Sequence, residues 1–134
     1  MRKKTYVLDS YALLAYFQAE PGSEKVRELL RQARAGEVSA VMSTINLGEV
    51  LYTVARRLGD DAAGETLNDI LRLPVELADV TMERVLGAAQ IKAHHTVSYA
   101  DCFAVSLAKE LEASVVTGDP EFKKVGALVS LVWL

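Results

Sequence analysis

Five short apolar runs, rich in β-branched residues, punctuate this chain. They are Thr5-Tyr6-Val7-Leu8, Val38 to Ser43, Val75 to Val80, Ala113 to Thr117 and Leu128 to Trp133. The intervals separating the first four carry apolar residues at helical spacing. Strands that alternate with helices need crossover connections, and such crossovers are right-handed, so the sheet they build is mostly parallel and is covered on both faces. The expected class is therefore α/β: a three-layer α/β/α sandwich around a mostly parallel sheet of about five strands.

Local signals set the helix limits. Tyr11 to Phe17 holds helix formers without a breaker, directly after the first strand. Pro21-Gly22-Ser23 interrupts the chain, and Ser23 is placed to cap a helix whose Val26, Leu29, Leu30 and Ala33 precede Gly36. Thr44 is placed to cap a third helix with a stripe of Leu47, Val50, Leu51, Val54 and Leu58, stopped by Gly59. Asp60 to Leu73 reads as a helix with a thinner face, Leu67, Ile70 and Leu71, ended by Pro74. Thr81 opens a helix bearing Val85, Ala88, Ala89 and Ile91 that runs to about His94. Ser98 or Tyr99 opens the last, with Ala100, Phe103, Ala104, Leu107 and Leu111 on its buried side. No linker, repeat or low-complexity stretch divides the sequence, so residues 1–134 are read as a single domain.

At 134 residues, 51% of them apolar, one core suffices, since folding at this size buries roughly two-thirds of the surface that the unfolded chain exposes. The one cysteine, Cys102, excludes an internal disulfide and any paired-cysteine zinc site, so a metal here would be held by oxygen or imidazole. Met1-Arg2-Lys3-Lys4 ahead of an apolar stretch faintly resembles a signal peptide, but Asp9 interrupts that stretch. No apolar run reaches the length of a membrane span. A cytoplasmic location without membrane contact is expected.

In an open parallel sheet, ligands bind beyond the carboxyl ends of the strands, where loops and helix starts converge. Asp9 follows the first strand, and Glu49 lies one turn into the helix after the second. Asp101 stands in the first turn of the helix before the fourth strand, and Asp119 follows that strand after Gly118. Singly, each has an ordinary explanation, because acids are favoured in a first helical turn and aspartate in turns. On a helical wheel Glu49 falls opposite Leu47, Leu51 and Leu58, on a face that reads as solvated. Asp9 is harder to explain away, because a carboxylate between a buried strand and Tyr11-Ala12-Leu13-Leu14 is costly to desolvate unless it is paired. No Lys or Arg is near Asp9 or Asp101 in sequence, and Asp119 has only Lys123 and Lys124 beyond it. The natural counter-ion is a hard divalent cation, Mg²⁺ or Mn²⁺, which would polarise a phosphodiester and acidify a water. With these four of the 18 acids assigned to a cation, 14 remain against 15 Lys and Arg, so the formal charge of −3 no longer opposes a polyanionic substrate.

Other chemistries have less support. His94 and His95 lie at a helix end without a Ser or Cys at a recognisable spacing, Cys102 reads as a packing residue, and no Gly-rich phosphate loop is present.

Val7-Leu8-Asp9-Ser10, Ile45-Asn46-Leu47-Gly48-Glu49-Val50, Ser98-Tyr99-Ala100-Asp101-Cys102-Phe103-Ala104 and Val116-Thr117-Gly118-Asp119-Pro120-Glu121-Phe122 resemble, in that order, the four motifs of PIN-domain ribonucleases. The short form is most similar to the VapC-like toxins of type II toxin–antitoxin modules, and the resemblance spans the chain. It implies that Asp9, Glu49 and Asp101 bind Mg²⁺ or Mn²⁺, with Asp119 as a fourth acid, and that Ser10 and Thr117 support them. It also implies a metal-dependent endoribonuclease acting on RNA, a homodimer, and inhibition by a small VapB-like antitoxin. Few basic residues stand beside the motifs, so RNA would be gripped by residues such as Arg2, Lys3, Lys4, Arg56, Arg57, Lys123 and Lys124.

Two rivals belong to other classes. A non-catalytic PIN-like module binding RNA or protein would have no physical reason to keep four clustered acids. An aspartyl-phosphate receiver or phosphatase would want adjacent acids after the first strand, whereas Ser10-Tyr11-Ala12 follows Asp9.

Overall fold

A computed structural model describes residues 3–134 of the chain. β1 (Lys4–Leu8), β2 (Val38–Ser43), β3 (Glu76–Ala78), β4 (Ser114–Thr117) and β5 (Ser130–Trp133) form one sheet in the order β3-β2-β1-β4-β5, and every neighbouring pair is parallel. Between them run α1 (Ser10–Phe17), α2 (Ser23–Arg34), α3 (Thr44–Leu58), α4 (Asp60–Leu71), α5 (Met82–His94) and α6 (Tyr99–Leu111), with a 3-10 helix at Pro120–Val125.

Successive strand residues point to opposite faces. Val7, Val41 and Val115 join Ala88, Ile91, Phe103 and Leu107 in one apolar cluster, which α5 and α6 cover. Their neighbours Leu8, Met42 and Val116 join Leu13, Val26, Leu30, Val50 and Ile70 in a second, under α1 to α4. Full burial of a side chain such as Leu13 or Met42 stabilises by about 1.5–3 kcal/mol. The two layers, more than helix propensity, hold the strand ends in place.

Several boundaries shift from the sequence expectation, each for a local reason. Ser43, not Thr44, caps α3, its Oγ accepting from the Ile45 N–H at 3.2 Å. Gly22, not Ser23, stands at the start of α2, because the chain turns there at φ +94°, and Ser23 becomes the first, buried helical residue. β3 has three residues, since at the sheet edge it pairs with β2 alone over Val41 to Ser43. β5 starts at Ser130 because the Leu128 N–H closes a turn onto the Val125 carbonyl at 2.9 Å.

The apolar stripe of α3 also differs. Asn46, Val50 and Val54 are its buried residues, while Leu58 is 68% exposed. Leu71 and Ala89, both expected on buried faces, are exposed. No helix among the described residues is long and apolar enough to cross a membrane.

Candidate active site

The carboxyl ends of β1 and β4 are adjacent, because these strands pair from Tyr6 with Ser114 to Leu8 with Val116. That register sets Asp9 beside Thr117. Asp9 caps α1 through a 2.9 Å bond from the Ala12 N–H to Oδ1, and the Thr117 hydroxyl bonds the same carboxyl. Thr117 is itself wholly buried, and its Oγ1 accepts from the Asp119 N–H at 3.0 Å. One hydroxyl thus links two of the acids. Asp119 in turn caps the 3-10 helix, its Oδ1 accepting from the Glu121 N–H at 3.0 Å.

Asp101 reaches this edge from the first turn of α6, where Ser98 caps the helix and also hydrogen-bonds the Asp101 carboxyl. Glu49 comes from α3, half-buried, and its Oε1 accepts from Asn46 Nδ2 at 3.1 Å. The solvated face expected for Glu49 is therefore not where it sits. Exposed Leu58 and partly exposed Leu51 do not mark the packed side of α3, which the Asn46–Val50–Val54 row defines instead. Ser10 opens α1, partly exposed.

Electrostatics bind these positions together. Burial pushes the Asp9 carboxyl up from 3.8 to about 7 against the bonds from Thr117 and Ala12, and repulsion from Asp101 and Asp119 adds to the rise. Burial likewise raises Asp101 from 3.8 to about 6, opposed by Ser98 and helped by the charges of Asp119, Glu49 and Glu121. Asp101 thus feels Asp119 and Glu49 and itself acts on Asp9, and Glu121, not singled out in the sequence, is a further acid that raises it. The exposed Glu121 carboxylate already pairs with Lys124 at 3.0 Å.

None of the four forms an ion pair with Lys or Arg among the described residues. Nor, among them, do three acid, imidazole or thiol side chains stand close enough to enclose an ion alone. Carboxylate oxygens are hard donors, the kind that divalent cations take together with water and substrate oxygens. A hollow of about 380 Å³ bordered by Ser39, Glu76, Asp79 and Arg84 includes none of the four acids, and Arg84 there is already bound to Glu110 at 3.1 Å.

Two further residues shape the edge. The Tyr11 ring lies against Gly118, where a Cβ would run into it. Lys123 is exposed on the 3-10 helix that begins at Asp119. The other cations proposed for gripping RNA are less well placed. Lys3 and Lys4 stand at the amino end of β1, a strand length of about 16 Å from Asp9 at 3.3 Å per residue. Arg56 lies over the Tyr52 ring and Arg57 donates to Gln18 at 3.0 Å. Lys124 donates to the Thr96 carbonyl as well as to Glu121. Arg2 lies outside the described residues.

The fold is thus a parallel α/β sheet with acids that lack Lys or Arg partners gathered beyond neighbouring strand ends. The model of the PIN domain matches residues 6–128, and the chain belongs to the PIN-domain family. Its fold is shared by solved structures of low sequence identity. A chain of VapBC2 from Rickettsia felis, solved bound to a DNA fragment from its promoter, aligns with a TM-score of 0.76 and 19% identity over 96% of this chain and 97% of that one. VapBC from Salmonella typhimurium, also DNA-bound, gives 0.75 and 18% over 96% and 97%. VapC20 from Mycobacterium tuberculosis, described as a Sarcin-Ricin loop cleaving toxin, gives 0.73 and 18% over 90% and 95%. No curated protein sequence matches the chain.

Proposed function

We propose that this protein is a divalent-cation-dependent endoribonuclease, the toxin of a type II toxin–antitoxin pair, with residues 1–134 forming a single nuclease domain. The observation that carries the reading is the convergence of Asp9, Glu49, Asp101 and Asp119 at one sheet edge without a Lys or Arg partner, with Asp9 only 1% exposed. A buried carboxylate in that position is costly unless a cation balances it.

In this reading Asp9, Asp101 and Glu49 hold Mg²⁺ or Mn²⁺, and Asp119 adds a fourth carboxylate. When bound, the ion polarises the scissile phosphodiester and acidifies a water. Thr117 keeps Asp9 and the Asp119 backbone in register, Ser98 fixes Asp101, and Ser10 lies next to Asp9 as a supporting hydroxyl. Hydrolysis by water leaves a 5′-phosphate and a 3′-hydroxyl. The kinship of fold with VapC20 and with VapBC complexes supports an RNA substrate, a small antitoxin partner and a cytoplasmic home. A homodimer is part of the same proposal, and exposed Tyr52 and Leu58 on α3 offer apolar surface for it.

Purified protein should cleave RNA with Mg²⁺ or Mn²⁺ and not in excess chelator, and Asp9→Asn should abolish cleavage while keeping the shape and cap of Asp9. Full activity in chelator, or in the Asn variant, would overturn the assignment. A protein that binds RNA without cutting it under any metal would instead favour the non-catalytic module.

A further inference from the structure

Among the four acids, Glu49 has the longest side chain and no backbone cap, so its direction must come from elsewhere. Asp9 and Asp119 cap helices, and Asp101 is tied to Ser98. The hydrogen bond to Glu49 comes from Asn46, one turn earlier on α3 and wholly buried. Asn46 Nδ2 donates both to Glu49 Oε1 at 3.1 Å and to the Ala100 carbonyl at 3.2 Å. Both partners only accept, so the amide orientation is fixed, with nitrogen toward them and oxygen away. Among the described residues that oxygen, Oδ1, has no hydrogen-bond partner.

An apolar residue at this buried position would avoid an unsatisfied polar atom, which makes Asn an expensive choice for packing alone. What the amide does that a leucine cannot is join the Glu49 carboxylate to the residue preceding Asp101. We propose that Asn46 is a positioning residue that turns Glu49 toward Asp101 and locks α3 to the start of α6, so that the two acids serve one cation. The proposal rests on the nuclease reading.

Mn²⁺ titration by calorimetry, with melting temperatures in chelator and in millimolar Mn²⁺, tests this on the wild type, Asn46→Ala, Glu49→Ala and the double variant. Asn46→Ala should weaken Mn²⁺ binding about 10- to 100-fold, the usual effect of removing a residue that orients a ligand. In the Glu49→Ala background the same change should do little more, because Asn46 acts through Glu49. The rise in melting temperature on adding Mn²⁺ should shrink in Asn46→Ala. Unchanged affinity, with melting lowered equally in both buffers, would reduce Asn46 to a helix tie and overturn the proposal. Should Asn46→Ala fail to fold, Asn46→Ser, whose hydroxyl is too short to span both acceptors, carries the same comparison. Wild type that takes up no Mn²⁺ would sink the nuclease reading and this proposal together. Wild type that binds while Asp9→Asn does not, with Asn46→Ala indistinguishable from wild type, would remove only the role of Asn46.

Discussion

At the scale of single residues, Asp9 is held in a way that makes it sensitive to its surroundings. Its hydrogen bonds from Ala12 and Thr117 favour the carboxylate, yet burial outweighs them and lifts its pKa to about 7. A raised native-state pKa means that the folded protein binds the proton more tightly than the unfolded chain, so this group's contribution to stability is present at low pH and lost as pH rises through about 7. Asp101, lifted to about 6, acts in the same direction over a lower window. Metal-free protein should therefore be more stable near pH 5 than near pH 8, by at most about 3 kcal/mol from Asp9, since about two pKa units of its window lie above pH 5 at 1.36 kcal/mol per unit. Asp9→Asn should flatten that dependence and raise stability at pH 8. Urea melts across this range in chelator measure both, and a wild-type profile no steeper than that of Asp9→Asn would contradict the burial argument.

At the scale of elements, the segment after β4 decides how the edge is framed. Gly118 has no positive φ to justify it, and its reason is the approach of the Tyr11 ring from α1. Gly118→Ala should cost about 1–3 kcal/mol by overpacking and should impair cleavage, because the displaced ring presses on the loop between Thr117 and Asp119. Adding Tyr11→Ala should restore most of the stability, which thermal melts of the single and double variants would read. If Gly118→Ala is silent, that packing contact has no influence on the loop. The 3-10 helix that Asp119 caps carries Lys123 into solvent, four positions beyond that acid, as a candidate to meet a phosphate of the substrate. Lys123→Ala should raise KM for RNA with little change in kcat and lower the salt-dependence slope by about one. Unaltered slope and KM would leave RNA to be gripped elsewhere.

At the scale of the whole molecule, the sheet order β3-β2-β1-β4-β5 is what sets Asp9 and Asp119, which follow β1 and β4, side by side at one edge. The alternation of short apolar runs with helical stretches already determines a parallel α/β sheet, because parallel strands require crossovers and apolar faces require cover. It also determines that Asp9 and Asp119, standing just past strand ends, lie at the carboxyl edge. Caps and turns next to each other in sequence were legible to within a residue, as Ser43 for Thr44 and Gly22 for Ser23 illustrate. The face that α3 presents was legible only in part: Val50 and Val54 are buried as expected, but Leu51 and Leu58 look as apolar in sequence, and only packing against the sheet and α6 distinguishes them. Nor could local sequence give Asn46 its bond to Ala100, 54 positions away, or bring the Tyr11 ring onto Gly118. Sequence by itself therefore determined the fold class and the chemistry available, because periodicity and donor type are local properties. Tertiary structure alone decided which donors face one another, through the pairing of β1 with β4 and the docking of α3 on α6, because contacts between distant segments depend on how whole elements pack.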